Sequence, residues 1–407
     1  MQRQVDCLIV GGGPAGMMAG LLFARAGLQT VVLEKHGDFL RDFRGDTVHP
    51  STLMLFDELG LLDTLLARPH DRISKLSVPF GGVRYTVADF GALPGRAAFV
   101  AMMPQWEFLD CVAVAAQSYP GFELRMGCDV TGLIDEDGRI AGVTSASGEP
   151  FRARLVIAAD GRGSVLRAAA KLPLEDLGAP IDVFWFRLAK DRTPENGTTG
   201  YFAPGRVIAL IDRGEYWQCA YVFPKGAAEV VMAAGLAAFR ADVARAAPSL
   251  AGLVDQIRDW RSVKLLSVQL DRLTRWHRPG LLAIGDAAHA MSPIGGIGIN
   301  LAIQDAVAAA NLLAGPMSDG QHPDPLLHKV QQRRLLPTKV VQAAQRAAHN
   351  RILTPLLMAG ARGLPPGAPL PLRLLQRFPI LQRIPARLIG MGVRPEHIRS
   401  PISAKGR

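Results

Sequence analysis

The stretch Val5–Gly16, VDCLIVGGGPAG, constrains this chain more than any other part of it. Six mostly apolar residues run without a break into Gly11, Gly12, Gly13, Pro14, Ala15 and Gly16. An apolar run of that length closed by glycines predicts a buried parallel strand that turns directly into a helix. Each glycine then has a steric task. Gly11 permits the tight turn, Gly13 lets a pyrophosphate approach without meeting a Cβ, and Gly16 lets the helix lie close on the strand. The free N–H groups and positive dipole end of the helix face the phosphates. The helix is expected to continue through Met17–Ala26 and to stop at Gly27. A second strand, Thr30–Leu33, ends in Glu34, near where a ribose-binding carboxylate belongs. The whole series predicts a dinucleotide site. The plainer alternatives are a ligand-free strand–helix turn and, for Glu34, a solvated charge at a strand end.

Two later stretches repeat this geometry. Ala153–Ala159 reads as an apolar strand ending in Asp160-Gly161, followed by Arg162, Ser164 and Arg167. Gly280–Ile284 reads as a third, ending in Gly285-Asp286. It is followed by AAHAMSPIGGIGIN, which holds Pro293, Gly295, Gly296, Gly298, Ile299 and Asn300, and then by a helix over Leu301–Leu313. Ligands bind along the rim of open parallel sheets, where such strand ends meet. His289 is either a base or a loop histidine satisfied by backbone.

The rest of the chain reads less sharply. A loop over Lys35–Pro50 holds Arg41 and Arg44, either phosphate clamps or ordinary surface charge. Ser51 caps a helix over Thr52–Leu66. Residues 73–103 alternate as strands in an antiparallel excursion. Met103–Gln117 reads as a helix opened by Pro104, with Gln105 in its first turn. Phe122–Gly127, Asp129–Asp135 and Ile140–Ser145 read as strands, the last two joined at Asp137-Gly138. Residues 180–270 are strand-rich with one helical interruption near 226–260. Tyr201, Trp217 and Tyr221 are candidates there for substrate contact, with plain core packing as the alternative. The tail, 325–407, is helical and basic. Its second helix, with Arg373, Arg377, Arg383 and Arg387, either touches an anionic membrane or a partner, or packs over the domain junction with its arginines in water.

Composition narrows the classes. No uncharged apolar stretch reaches the roughly 18 residues of a membrane span. Residues 226–239 read as the nearest approach, broken by Glu229. The N-terminus enters the first strand at once, which leaves no room for a signal peptide. Cys7, Cys111, Cys128 and Cys219 are scattered, so they read as reduced thiols in a cytoplasmic protein, not as a metal site. The net charge of +10 points to anions. Without aromatic interleaving or a recognisable binding module it does not point to nucleic acid.

Taken together, GGGPAG with Glu34, AADGRGSVLR, GDAAHAMSPIGGIGIN and PQWEFLD at 104–110 resemble the FAD-dependent aromatic hydroxylases. These are single-component flavoprotein monooxygenases similar to 4-hydroxybenzoate hydroxylase, and the likeness spans about residues 1–315. The resemblance implies an α/β fold. A discontinuous Rossmann-like FAD-binding domain with a parallel sheet would comprise 1–72, 104–178 and 272–320. An inserted, mostly antiparallel β substrate domain would comprise 73–103 and 179–271, and 321–407 would form a helical C-terminal region. It implies that Gly11, Gly13 and Gly16, with Pro14 and Ala15, hold the FAD pyrophosphate. Glu34, with Lys35 beside it, would hold the adenosine ribose. Arg44 would contact the phosphates, Gln105 the ribityl chain, and the backbone at Val130 the adenine. Asp160 and Arg162 would serve FAD and NAD(P)H. Gly285 and Asp286 would meet the ribityl and pyrophosphate region. Gly295, Gly296, Gly298, Ile299 and Asn300 would embrace the isoalloxazine, with Pro293 near the reacting substrate.

The implied reaction is hydroxylation of an aromatic or polycyclic compound through a flavin C4a-hydroperoxide, with NAD(P)H as co-substrate. The cofactor carries the chemistry and no catalytic side chain or metal is required. The helix after Asn300 would favour the reduced, anionic ring. Monomer and homodimer are both compatible. The competing readings are a related flavoprotein that does not hydroxylate (halogenase- or prenyl reductase-like), a non-catalytic FAD protein, and an NAD-only dehydrogenase. The WxWxIP-type halogenase signature is absent.

Overall fold

In the computed structural model, which describes residues 4–40, 47–80, 83–190, 199–203, 205–358 and 368–403, the first strand lies in the middle of the principal sheet. This strand, β1 (Val5–Val10), turns into α1 (Pro14–Arg25), which leads to β2 (Thr30–Leu33). A short β3 (Thr47–Val48) precedes two helices, α2 (Pro50–Glu58) and α3 (Leu62–Leu66). The sequence predicts one helix here. Gly60, at φ +71°, stops α2 in a left-handed turn and divides it. Then come β4 (Asp71–Ile73), the hairpin β5 (Lys75–Phe80) and β6 (Val83–Asp89), and β7 (Val100–Met102). After α4 (Gln105–Gln117) the chain adds β8 (Phe122–Arg125), β9 (Val130–Glu136), β10 (Arg139–Ser145), β11 (Pro150–Ala158) and α5 (Val165–Ala169).

A second region follows: β12 (Leu174–Asp176), β13 (Ile181–Ala189), β14 (Thr199–Ala203), β15 (Arg206–Asp212) and β16 (Tyr216–Pro224). Helices α6 (Ala228–Ala233) and α7 (Leu236–Ala246) interrupt it before β17 (Lys264–Ser267) and β18 (Asp271–Leu273). The chain returns through β19 (His277–Arg278) and β20 (Leu281–Ala283) to α8 (Gly298–Ser318) and α9 (Leu327–Ala348). A π-helical turn (His349–Leu353), α10 (Thr354–Met358), α11 (Leu370–Arg377) and α12 (Arg383–Gly390) complete the described elements.

The principal sheet has the order β19-β20-β11-β1-β2-β8, with β9 and β10 branching from β11. From β20 to β8 the pairings are parallel. The four strands predicted from apolar runs therefore end on one rim. Cys7, Leu8, Ile9, Val156, Ile157 and Leu282 are fully buried, as a sheet covered on both faces requires. Helix α1 packs against α4 and α8. Among the described residues one helical run, Ile294–Ser318, is long and apolar enough to cross a membrane. Most of it is buried among these elements, so the nearest approach to a span is here and not at 226–239.

The second sheet, β14-β15-β16-β13-β17, is antiparallel. One face is covered by α7 through Phe184, Phe186, Trp217, Tyr221 and Phe239. The other carries Val183, Val207 and Ala220 with partly buried Trp185, Ala209 and Val222, and meets Leu353, Leu357 and Ile294.

Candidate functional site

Three loops leave the rim of the principal sheet, and contacts between backbones lock them together. Gly11 has φ +107°, and an added Cβ would lie 2.3 Å from the carbonyl oxygen of Ala159, at the end of the neighbouring strand. A Cβ on Gly16 would lie 1.9 Å from the carbonyl oxygen of Gly11. Gly285, at φ +60°, sits so close to Ala15 and Ala302 that an added Cβ would lie 3.1 Å from the Cβ of each, so the third loop approaches the first turn of α1. Gly13 differs from all of these. Its φ is an ordinary −75°, and a Cβ built there meets nothing within 4 Å. The protein itself does not require glycine at 13; the space in front of it does.

Glu34 follows β2 and is buried. Its Oε2 accepts the Gly12 N–H at 2.7 Å and its Oε1 accepts the His36 N–H at 3.1 Å. This charge is not solvated; it braces the glycine loop from the next strand. Lys35 is exposed beside it, Gln105 is buried at the start of α4 behind Pro104, and Val130 is buried at the start of β9. Arg41 and Arg44 lie outside the described residues.

Asp160, at the end of β11, accepts the Leu166 N–H at 3.2 Å through Oδ2. Its buried Oδ1 has no partner among the described residues, and burial raises its pKa above the ordinary carboxylate value. Arg162 Nε donates to Asp286 Oδ2 at 3.0 Å, joining the second loop to the third, and its buried Nη1 has no partner among the described residues. An acceptor and a donor thus wait unsatisfied beside the rim, a state that polar ligand atoms resolve.

The third loop is fixed by Asn300. Its Oδ1 accepts from His49 N and Thr52 Oγ1, both at 2.8 Å, and its Nδ2 donates to the carbonyls of Thr47 (3.0 Å) and Gly296 (3.2 Å). The side chain is fully engaged with protein. Gly296, at φ +61°, faces Thr47 so closely that a Cβ would lie 2.0 Å from its Oγ1. Helix α8 starts at Gly298, earlier than Leu301, so Gly298, Ile299 and Asn300 form its first turn. Among the described residues no side chain caps α1 or α8. Their first-turn N–H groups therefore remain for an anion or a polarised ring. Residues 293–299 are partly or fully exposed, including Pro293 and Gly295.

Behind the loop lies a buried ionic chain that sequence reading missed. Asp305 on α8 is fully buried and accepts from Gly285 N (3.1 Å), His289 Nε2 (2.6 Å) and Arg334 Nε (2.9 Å). The cationic neighbours outweigh burial and hold its carboxyl below the usual range. Arg334, also fully buried, reaches Glu396 at 3.4 Å, and Glu396 accepts a bidentate pair from Arg333. His289 is thus paired with a carboxylate and not with backbone. The available signal was Asp305 itself, an acid amid the apolar residues of the helix read over Leu301–Leu313.

A second support comes from α9. Gln345 accepts from Ser292 N (3.1 Å) and donates to the carbonyls of Ser292 (3.0 Å) and Ile294 (3.2 Å). His349 Nε2 meets Ser292 Oγ at 2.9 Å. Pro293 is therefore held on both sides.

Tyr201, Trp217 and Tyr221 are placed elsewhere. Tyr201, Ile208, Tyr221 and Phe184 are successive cross-strand partners, and so share one face. That face packs under α7, with Tyr221 bonded to Asp242 and Tyr201 to Ser249. Trp217 is buried in the same cluster. The face that meets Ile294 carries Trp185, Ala209 and Val222 instead. The period of two was legible in the sequence; which face each parity takes was not.

Open space in front of Gly13, two helices without side-chain caps among the described residues, and unsatisfied polar atoms beside them fit a dinucleotide with a fused-ring end. Residues 4–344 match the family described as FAD binding domain, and the chain belongs to it: it is an FAD-dependent monooxygenase of the aromatic hydroxylase class. It is 31% identical to the 6-methylpretetramide 4-monooxygenase of Streptomyces rimosus over 98% of this chain and 96% of the relative. In fold it is similar to the OxyS anhydrotetracycline hydroxylase of S. rimosus, with TM-score 0.75 and 23% identity over 97% of this chain and 77% of that one. It is also similar to PqsL of P. aeruginosa, with TM-score 0.74 and 22% identity over 88% and 99%.

Proposed function

We propose that the enzyme uses NAD(P)H and O2 to place one oxygen atom on an aromatic, fused-ring small molecule. The observation that carries this reading is the convergence of Gly11–Gly16, Glu34, Asp160–Arg162 and Gly285–Asn300 on one sheet rim. FAD, when bound, supplies hydride acceptance from NAD(P)H and the activation of O2. The chain binds and orients. The backbone at Gly11, Gly13 and Gly16 takes the pyrophosphate, Glu34 the ribose, and Gln105 and Asp286 the ribityl region. The first turn of α8 and the loop 293–299 take the ring system, where the N–H groups favour negative charge. Asn300 acts by holding that loop in shape. Arg162, with its spare N–H, is suited to a nicotinamide nucleotide.

The substrate side follows from the second sheet. Trp185, Ala209 and Val222 form an apolar face opposite Ile294, suited to a flat ring system and to excluding water. The named reaction of the 31% identical relative, on a pretetramide, supports a polycyclic substrate. We assign cofactor binding to 1–72, 104–178 and 272–320, and the substrate to 73–103 and 179–271. The free thiols Cys7, Cys111, Cys128 and Cys219 accord with a reducing, cytoplasmic setting.

The test is direct. Purified protein should be yellow and release FAD on denaturation. NAD(P)H consumption should accelerate with a fused-ring phenol, and 18O from O2 should enter the product. Accelerated consumption that yields only hydrogen peroxide across a panel of such phenols would refute the hydroxylase assignment.

A further inference from the structure

Residues 325–395 contain twelve lysines and arginines and no aspartate or glutamate. The rest of the chain is therefore net −2, and the +10 of the whole resides in this segment. Within it, α11 and α12 carry two matched rows. Leu370, Leu374 and Phe378 follow at intervals of four, beside Arg373 and Arg377 at the same interval. Ile380 and Ile384 repeat the pattern beside Arg383 and Arg387. The five apolar side chains are 41–68% exposed. Among the described residues, none of these four arginines pairs with a carboxylate, whereas Arg333 and Arg334 do.

The inner side of this unit is fixed. Ala386 and Gly390 are buried, and Gly390 packs against Phe90, Leu93 and Pro50. Both helices rest on β6. The outward rows are thus held by the enzyme and, among the described residues, left exposed.

We propose that α11 and α12 form a docking surface for an anionic lipid bilayer. Apolar rows beside arginines that have no carboxylate partner among the described residues match a headgroup layer, where the apolar side chains enter the acyl boundary and the guanidiniums stay with phosphates. Eight residues make a helix about 12 Å long, far short of the ~30 Å hydrocarbon core, so each helix lies in the interface and does not span it. The strict exclusion of acidic residues over 71 positions favours a negatively charged surface over a second copy of this same basic face.

The test uses the FAD-loaded full chain and vesicle co-sedimentation. Vesicles of two parts phosphatidylcholine to one part phosphatidylglycerol should bind the enzyme, pure phosphatidylcholine should not, and high salt should release it. Arg373→Gln with Arg377→Gln should lower partitioning about thirtyfold. Phe378→Ser with Ile384→Ser should also weaken binding, at low salt as well. Arg245→Gln with Arg261→Gln, equal in charge and on the other sheet's side, should bind as the parent does. Flavin absorbance and the thermal midpoint report that each variant is folded. No binding by the parent, or equal loss in the Arg245/Arg261 control, overturns the proposal. So does a solution dimer abolished by Phe378→Ser with Ile384→Ser in a protein that ignores vesicles.

Discussion

Asp305→Ala removes the carboxylate on which three donors converge: Gly285 N, His289 and Arg334. Arg334 and Asp305 are both fully buried, so water cannot replace the lost partner without opening the core. Truncating one member of a buried ion pair costs about 3–5 kcal/mol, because the charge left behind stays desolvated. Glu396, 3.4 Å from Arg334 on its other side, compensates in part and places the expected cost near 3 kcal/mol. That is a large share of a typical stability of about 5–15 kcal/mol. Arg334→Met in the same chain removes the stranded cation, so the double variant should recover at least about 1 kcal/mol of the loss. Urea unfolding, followed by tryptophan fluorescence in apoprotein and holoenzyme, measures both. Because Asp305 holds the Gly285 N–H, the single variant should also release FAD more readily. A cost below about 1 kcal/mol, or strictly additive losses in the double variant, would refute the reasoning.

Three further outcomes are expected. Gly13→Val should leave apoprotein stability within about 1 kcal/mol, since the Cβ position is open, yet abolish FAD retention; an FAD-loaded variant would contradict the cradle. His49 is buried beside the loop 293–299, and burial lowers its pKa to about 4. Between about pH 6.5 and 4 the unfolded chain therefore binds a proton that the folded chain refuses. Stability should fall by about 3 kcal/mol over that window, and His49→Gln should flatten the slope in pH-dependent urea titrations. Gln345→Leu leaves three backbone groups around Pro293 unpaired, at about 1–3 kcal/mol each if none finds water. Product formed per NAD(P)H consumed should drop more than NAD(P)H oxidation itself, and unchanged coupling would show that the loop needs no such support.

The rim was legible because each strand end announced itself locally: an apolar run, then glycine or Asp-Gly. Local signals also placed α4, the β9–β10 hairpin and the helix after the third loop. The partners of those elements were not legible. Nothing near Asp305 names Arg334, 29 residues on, or Glu396 beyond it, since burial of a charge is settled by packing between distant helices. Tyr201, Trp217 and Tyr221 show the same limit within a sheet. Their segments read as strands, but only the helices of 228–246 decide which side of the sheet is core. Gly60 dividing a predicted helix is the smallest case: one left-handed residue outweighs a good apolar spacing.

Residues 391–403 run back across the cofactor half of the molecule. Glu396 meets Arg333 and Arg334, Ile398 N donates to Glu58, Arg399 N donates to Asn311, and Ser403 N donates to Arg25. A chain emerging N-terminus first can therefore form α1 within its first thirty residues but cannot tie down the far end of that helix. The clasp arrives more than 370 residues later. During synthesis α1, α2 and α8 should stay loosely tied at these ends until that clasp is free to close, which makes this stretch a poor place for a truncation or a rigid fusion.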